Sequence, residues 1–210
     1  MKKIFALILT LSLCISQLVM PATYAAVKNS YDFDSSTELP SELIFTGGTD
    51  GIAGSIAESD YGNAVKFEST SDTLSQWSSL GLRCNVYNKA ADIATLAFDF
   101  KVEKLNNQNS KDAISVVYRL QENAGGTSTG DQGAAIKADG TFGAARWEVG
   151  RWYTVKYSLD VNARTISAVL TDKQTGAETQ AYAAKSFTSS LSEIHGFMRP
   201  EFHSLINGVM

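Results

Sequence analysis

The stretch that most limits what this chain can become is Gly150–Thr171, GRWYTVKYSLDVNARTISAVLT. After Trp152, the residues Tyr153, Val155, Tyr157, Leu159 and Val161 alternate with Thr154, Lys156, Ser158 and Asp160. The bend Asn162-Ala163-Arg164 turns the chain. Ile166, Ala168 and Leu170 then alternate with Ser167, Val169 and Thr171 on the return. Period-two patterning in β-branched and aromatic residues, about a bend of Asp and Asn, predicts an antiparallel hairpin.

The same pattern recurs along the chain. Leu80, Leu82, Cys84 and Val86 oppose Gly81, Arg83, Asn85 and Tyr87. Leu96, Phe98, Phe100 and Val102 oppose Ala97, Asp99, Lys101 and Glu103, while Ile114, Val116, Tyr118 and Leu120 oppose Ser115, Val117, Arg119 and Gln121. One apolar row against one polar row is the mark of half-buried antiparallel strands. Further strands are expected at Tyr31–Asp34, Leu43–Phe45, Ala64–Glu68, Glu178–Lys185 and Ile194–Phe202. Gly47, Gly48, Gly51 and Gly54 predict a flexible loop, and Ala134–Lys137 with Thr141–Ala145 predict a small hairpin across Ala138-Asp139-Gly140. Ser186–Leu191 is expected to form a single helical turn. No longer stretch carries a helical period, so the class is all-β, and this many short strands imply two stacked sheets.

The first residues are expected to lie outside that fold. Lys2 and Lys3 precede an uncharged apolar run, Ile4 to Met20, and Thr23-Tyr24-Ala25 supplies small residues where a signal peptidase reads. Residues 1–25 are thus a signal peptide cleaved after Ala25, and the run is shorter than the about 20 residues of a membrane span. One domain, 26–210, remains, secreted or held at the cell surface. Of the 18 lysines and arginines two leave with the peptide, so sixteen face 22 acidic residues, a net charge of −6. An acidic surface excludes nucleic acid and anionic membrane as partners. Cys14 leaves as well, so no disulfide is available, and Cys84 is expected to be a small core residue.

Most of residues 31–205 resembles the concanavalin A-like lectin/glucanase superfamily, its laminin-G-like bacterial members above all. The likeness lies in the sandwich length, in Tyr31-Asp32-Phe33-Asp34, and in a meander from Gly150-Arg151-Trp152-Tyr153 to Lys173-Gln174-Thr175-Gly176. It implies a two-sheet antiparallel jelly roll whose first strand pairs with a strand near the C-terminus. The sequence stops at Ile206-Asn207-Gly208-Val209-Met210, where the resemblance implies one more strand; either the sequence is a truncated piece of a longer chain with other domains, which is the favoured expectation, or the first strand keeps an unpaired edge.

Glucanases of that superfamily carry Glu-x-Asp-x-x-Glu on one strand, with carboxylates about 5 Å apart. No such triplet is present; Asp92, Asp99 and Glu103 come nearest, and Lys101 stands among them. A polysaccharide lyase needs a Tyr or His base with Arg or Gln against the uronate. By alternation Arg83, Asn85 and Tyr87 share one strand face, Arg119 and Gln121 another, and His195 and Arg199 a third, opposite Ile194, Gly196 and Met198. If those strands share a sheet, three arginines and a histidine converge; alternatively Asp99, Glu103 and Glu201 pair with them. His195 and His203 serve no Gly-x-Ser-x-Gly elbow and do not match a zinc spacing. Related sandwiches often hold a structural calcium, for which Asp32, Asp34, Asp50 or Asp60 would supply oxygens, although loop aspartates more often form turns. No other cofactor is expected.

What remains is recognition of a polysaccharide or other glycan, which uses exposed aromatic planes flanked by planar hydrogen-bonding groups. Trp77, Tyr87 and Trp147 are the aromatic candidates, whereas Trp152 is expected in the core. The reading is a secreted non-catalytic, lectin-like domain binding glycan on a concave sheet face through Trp77, Arg83, Asn85, Tyr87, Arg119, Gln121, His195 and Arg199. The alternatives are a polysaccharide lyase or glycoside hydrolase of the same fold, and a structural or adhesion module with no glycan site.

Overall fold

A computed structural model describes residues 31–210 other than 32, 34, 35, 48–50, 71–77, 85–91, 108, 120–127, 130–132 and 188–195. The expected signal peptide lies outside the described residues. The strands are β1 (Leu43–Gly47), β2 (Ile52–Ser59), β3 (Gly62–Ser69), β4 (Ser79–Cys84), β5 (Ile93–Leu105), β6 (Asp112–Arg119) and β7 (Ser128–Thr129). They continue as β8 (Ile136–Lys137), β9 (Thr141–Phe142), β10 (Ala145–Arg146), β11 (Trp152–Asp160), β12 (Thr165–Asp172), β13 (Glu178–Ser186), β14 (Gly196–His203) and β15 (Ile206–Val209). No helix occurs among the described residues.

The expected all-β, two-sheet antiparallel sandwich is the observed architecture. One sheet has six strands in the order β1-β4-β14-β6-β7, with β8 also on β6; the other has seven, β13-β12-β11-β5-β15-β3-β2. The hairpin β11–β12 pairs in unbroken register from Tyr153 opposite Asp172 to Asp160 opposite Thr165. Asp160 Oδ1 accepts from the amides of Asn162 at 3.0 Å and Ala163 at 2.7 Å, and Arg164 closes the bend at φ 55°. Its apolar row is buried as the alternation predicts: Tyr153, Val155, Tyr157 and Leu159 on the way out, Ile166, Ala168 and Leu170 on the way back. Against this row the six-stranded sheet sets Leu80, Leu82, Ile114, Val116, Tyr118 and Phe202 in one core. The two sheets meet where Phe67 of β3 stacks on Phe202 of β14, ring centroids 3.9 Å apart and planes 8° from parallel.

Several local expectations are corrected. The glycine-rich stretch is not all loop, because β2 begins at Ile52 and carries Gly54 within it. Its inward positions Ile52, Gly54 and Ile56 include a glycine because a Cβ there would stand 2.5 Å from the Phe45 ring and 2.8 Å from Leu80. Tyr31 and Phe33 form no strand; they pack, partly buried, on the core. The hairpin expected across Ala138-Asp139-Gly140 does not form, since β8 pairs with β6 while β9 pairs with β10. Ser186 closes β13 rather than opening a helical turn, and 188–191 lie outside the described residues. Ile206–Val209, expected only to precede a further strand, is itself a strand, inserted between β5 and β3.

Two tryptophans are buried, one against expectation and one in line with it. Trp147 is buried in the core and donates its Nε1–H to the Lys137 carbonyl at 3.0 Å, so it offers no plane to a ligand. Trp152 is buried as expected, in a small second core cluster with Ala64 and Val209 on the outward side of the seven-stranded sheet. Tyr153 takes the inward position, and strict alternation puts its neighbour outside.

Candidate binding face on the six-stranded sheet

Strands β4, β14 and β6 carry the arginines that alternation selects, and they are consecutive neighbours in one sheet. Because Leu80, Leu82 and Phe202 face inward, Gly81, Arg83, Glu201 and His203 face outward. A registered row runs across four strands on this face: Thr46 opposite Gly81, Gly81 opposite Glu201, and Glu201 opposite Ser115. Arg199 lies along the row. A Cβ on Gly81 would stand 2.6 Å from Arg199 Nε and 3.2 Å from Glu201 Cγ, so the glycine forms the notch in which the arginine rests. Arg199 donates from Nε at 2.9 Å and from Nη2 at 2.5 Å to the same Glu201 Oε1. Both side chains are recessed, 16% and 14% exposed, which fixes the guanidinium plane.

Beside this pair, Ser115 Oγ and His203 Nε2 are hydrogen-bonded at 2.9 Å, with only 4% and 8% of the two residues exposed. Arg83 is half-buried; among the described residues neither its Nε, which is shut off from solvent, nor Thr46 Oγ1 on the adjoining strand has a hydrogen-bond partner. The alternative expectation, that acids neutralise the arginines, thus describes Arg199 with Glu201 but not Arg83. Asp99 and Glu103 belong to the other sheet, where they pair with Lys173 and Lys101.

The other expected site residues fall unevenly. Arg119 ends β6 opposite Gly196, which places its backbone on the same sheet; its side chain is outside the described residues. Trp77, Asn85, Tyr87, Gln121 and His195 also lie outside them, as do the side chain of Cys84 and the aspartates 32, 34 and 50. The pairing of β14 with β6 slips between Phe197 and Arg199. An extra residue there breaks the odd–even count that put His195 and Arg199 on one face. Sequence reasoning named Glu201 only as an ion-pair partner, set His203 aside, and missed Gly81, Ser115 and Thr46. Alternation alone puts Gly81 with Arg83 and Glu201 with Arg199, whereas bringing Ser115 and Thr46 alongside required the strand order.

No family model and no curated protein matches this chain. Solved structures do. The chain is similar to lectin-type sandwiches. The Lotus tetragonolobus seed lectin aligns at 12% identity and a TM-score of 0.49, over 82% of this chain and 91% of that one. Lectin I from Ulex europaeus, in complex with the methyl glycoside of alpha-L-fucose, aligns at 10% identity and 0.43, over 80% and 95%. The catalytic domain of a glycoside hydrolase family 131 protein from Coprinopsis cinerea aligns at 13% and 0.34, over 78% and 82%.

The outward face of the seven-stranded sheet is built differently. Tyr61, 54% exposed at the turn between β2 and β3, packs edge-on to Trp152 with centroids 5.4 Å apart, and Lys173 Nζ lies 4.5 Å from the Tyr61 ring centre. Asp60 Oδ2 accepts from Lys101 Nζ at 2.7 Å and from Trp152 Nε1 at 3.0 Å, while Asp99 takes Lys173 and the Thr154 hydroxyl. The charged groups of this cluster pair with one another, so it braces the sheet. Among the described residues no three His, Cys, Asp or Glu gather as a metal site. A third feature, a depression of about 230 Å³ lined by Leu105, Asp139, Gly140, Trp147, Glu148 and Val149, has its Asp139 carboxylate already bonded to the Thr141 amide and hydroxyl.

The bonds from Lys101 and Trp152, with the charge of Lys101, hold the Asp60 carboxyl below its ordinary value. A carboxyl depressed on folding stabilises above its unfolded pKa, and that contribution fades as pH falls through the folded one. Asp60→Asn should therefore lower the midpoint of thermal unfolding at neutral pH. The gap from the native protein should close as the pH drops below about 4, and equal gaps across that range would contradict the assignment.

Proposed function

We propose that this chain is an exported, non-catalytic carbohydrate-binding sandwich whose recognition surface is the outward face of the six-stranded sheet around Gly81, Arg83, Arg199 and Glu201. The observation that carries the reading is the row Thr46–Gly81–Glu201–Ser115 with Arg199 seated over the glycine. It holds the Glu201 carboxylate and the Arg199 guanidinium together as one fixed planar pair, which can meet the ring hydroxyls of a sugar without first having to be ordered. Export rests on the charged start and uncharged apolar run of residues 1–25.

The test is a glycan array followed by affinity electrophoresis with the best polymer. Gly81→Ala fills the notch and pushes Arg199 off its place, so binding should fall about tenfold, the cost of one charge-assisted hydrogen bond. Undiminished binding by a folded Gly81→Ala protein would move the site elsewhere. A blank array with the folded native protein would leave a structural or adhesion module.

An enzyme is the second reading, and the Ser115–His203 pair is what favours it, since Ser115 lies opposite Glu201 and holds an imidazole on the same strand face. Burial argues against it: a base that abstracts a proton from a polymer must touch it, and His203 is enclosed. Incubation with uronate polymers should accordingly produce no new absorbance from unsaturated ends, and no new reducing ends.

A further inference from the structure

We infer that Asp60 and Tyr61, at the tip of the β2–β3 hairpin, form a second sugar-binding point and that it takes a neutral, hydroxyl-rich ring; this rests on the carbohydrate reading above and adds a contact on the other sheet. Ser59 pairs with Gly62 in the β2–β3 ladder, so Asp60 and Tyr61 are the whole of a two-residue turn. The Ser59 hydroxyl donates to the Gly62 carbonyl at 2.7 Å and accepts from the Tyr61 amide at 3.3 Å, and Gly62 closes the turn at φ 98°. The two side chains are anchored from β5, β11 and the residue after β12, through Lys101, Trp152 and Lys173. They are also open to a ligand. Tyr61 is 54% exposed and the Asp60 side chain 64%. A fixed, open aromatic plane beside an open carboxylate costs little to order when something settles on it.

The neighbours decide what fits. Lys173 Nζ lies 4.5 Å from the Tyr61 ring centre and 5.9 Å from that of Trp152, and Lys101 Nζ lies 5.6 Å from the Trp152 centre. The cation sites of both rings are thus taken by the chain itself, which leaves no place for a cationic ligand. An anionic one meets three acids, Asp60, Asp99 and Glu103, against the two lysines they pair with. A neutral sugar ring suits both groups. Its C–H face stacks on the open part of Tyr61. Its hydroxyls donate to Asp60, whose bonds from Lys101 and Trp152 both go to Oδ2, while Oδ1 has no partner among the described residues.

Affinity electrophoresis of the full chain through galactomannan, xyloglucan and laminarin reads the site. At least one of these should retard the native protein. Tyr61→Ala, shown to be folded by its near-ultraviolet circular dichroism, should lower that affinity about tenfold, whereas Tyr61→Phe keeps the plane and should keep the affinity. Asp60→Asn, checked in the same way, should weaken binding about fivefold, because a neutral acceptor replaces a charged one. Polygalacturonate should not compete. Undiminished binding by Tyr61→Ala overturns this site and leaves the six-stranded face standing. An equal loss in Tyr61→Phe and Tyr61→Ala overturns the stacking, and full affinity in Asp60→Asn overturns the part given to the carboxylate. Competition by polygalacturonate, or retardation by it alone, overturns the neutral ring. A loss in Tyr61→Ala with none in Gly81→Ala supports this site and removes the other. Failure of the native protein on every glycan, neutral or acidic, removes the carbohydrate reading and this site with it.

Discussion

Replacing Phe202 by alanine should cost the sandwich about 3–5 kcal/mol, the usual penalty for emptying a buried aromatic site. Phe202 is fully enclosed, and its ring lies flat against Phe67 of the opposite sheet. Phe67 is held in turn by an edge contact with Phe45, centroids 6.2 Å apart. Backbone ladders tie strands within a sheet, so the sheets adhere only through such side chains. Total stability of a domain this size is about 5–15 kcal/mol, and the variant should sit near the edge of folding at body temperature. Urea unfolding of Phe202→Ala, Phe67→Ala and the double variant measures the coupling: the double change should cost less than the two single changes together, by about 0.5–1.5 kcal/mol. Strict additivity would mean that the stacked rings act as two independent residues.

Gly208→Ala should be comparably damaging for a different reason. Gly208 lies opposite Val102 of β5 and Phe67 of β3, in the interior of the seven-stranded sheet. A Cβ there would overlap the Lys101 carbonyl oxygen and stand 3.3 Å from Val102 Cα. Both are backbone atoms of a long central strand, which cannot turn aside as a side-chain tip does. The expected loss is about 3 kcal/mol or more, read as a lower urea midpoint. A midpoint within error of the native one would show that β15 does not press on β5 as closely as described.

What the sequence makes legible follows from the range of the interactions. The β11–β12 hairpin is local, its alternation is unbroken, and its register is fixed by its own bend, so pattern alone predicts it. β2 escapes notice because Gly54 stands at an inward position where the pattern requires an apolar side chain; the ring of Phe45, on another strand, fills the space. Trp152 is buried as its size suggests, but parity gives the inward row to Tyr153 and leaves Trp152 in the smaller cluster with Ala64 and Val209. On the candidate face, alternation correctly groups Arg83 with β4 and Arg199 with β14, yet it cannot say that β14 lies between β4 and β6. Nor can it detect the slip near Met198, which ends the odd–even count on the way to His195. The Ser115–His203 bond, between residues of different strands, has no local signature at all.

The place of β15 has a consequence for how the molecule is made. Lys66 of β3 and Lys101 of β5 both find their partner in Val209. Until that residue has emerged, the ribosome has released two separate fragments of one sheet, the β2–β3 hairpin and the β5–β11–β12–β13 meander, each with a bare hydrogen-bonding edge. Contacts so distant in sequence form slowly, and bare edges recruit other chains. Synthesis of this protein should therefore pass through a prolonged vulnerable stage in which holding chaperones improve the yield, and which ends when a single late strand stitches the halves together.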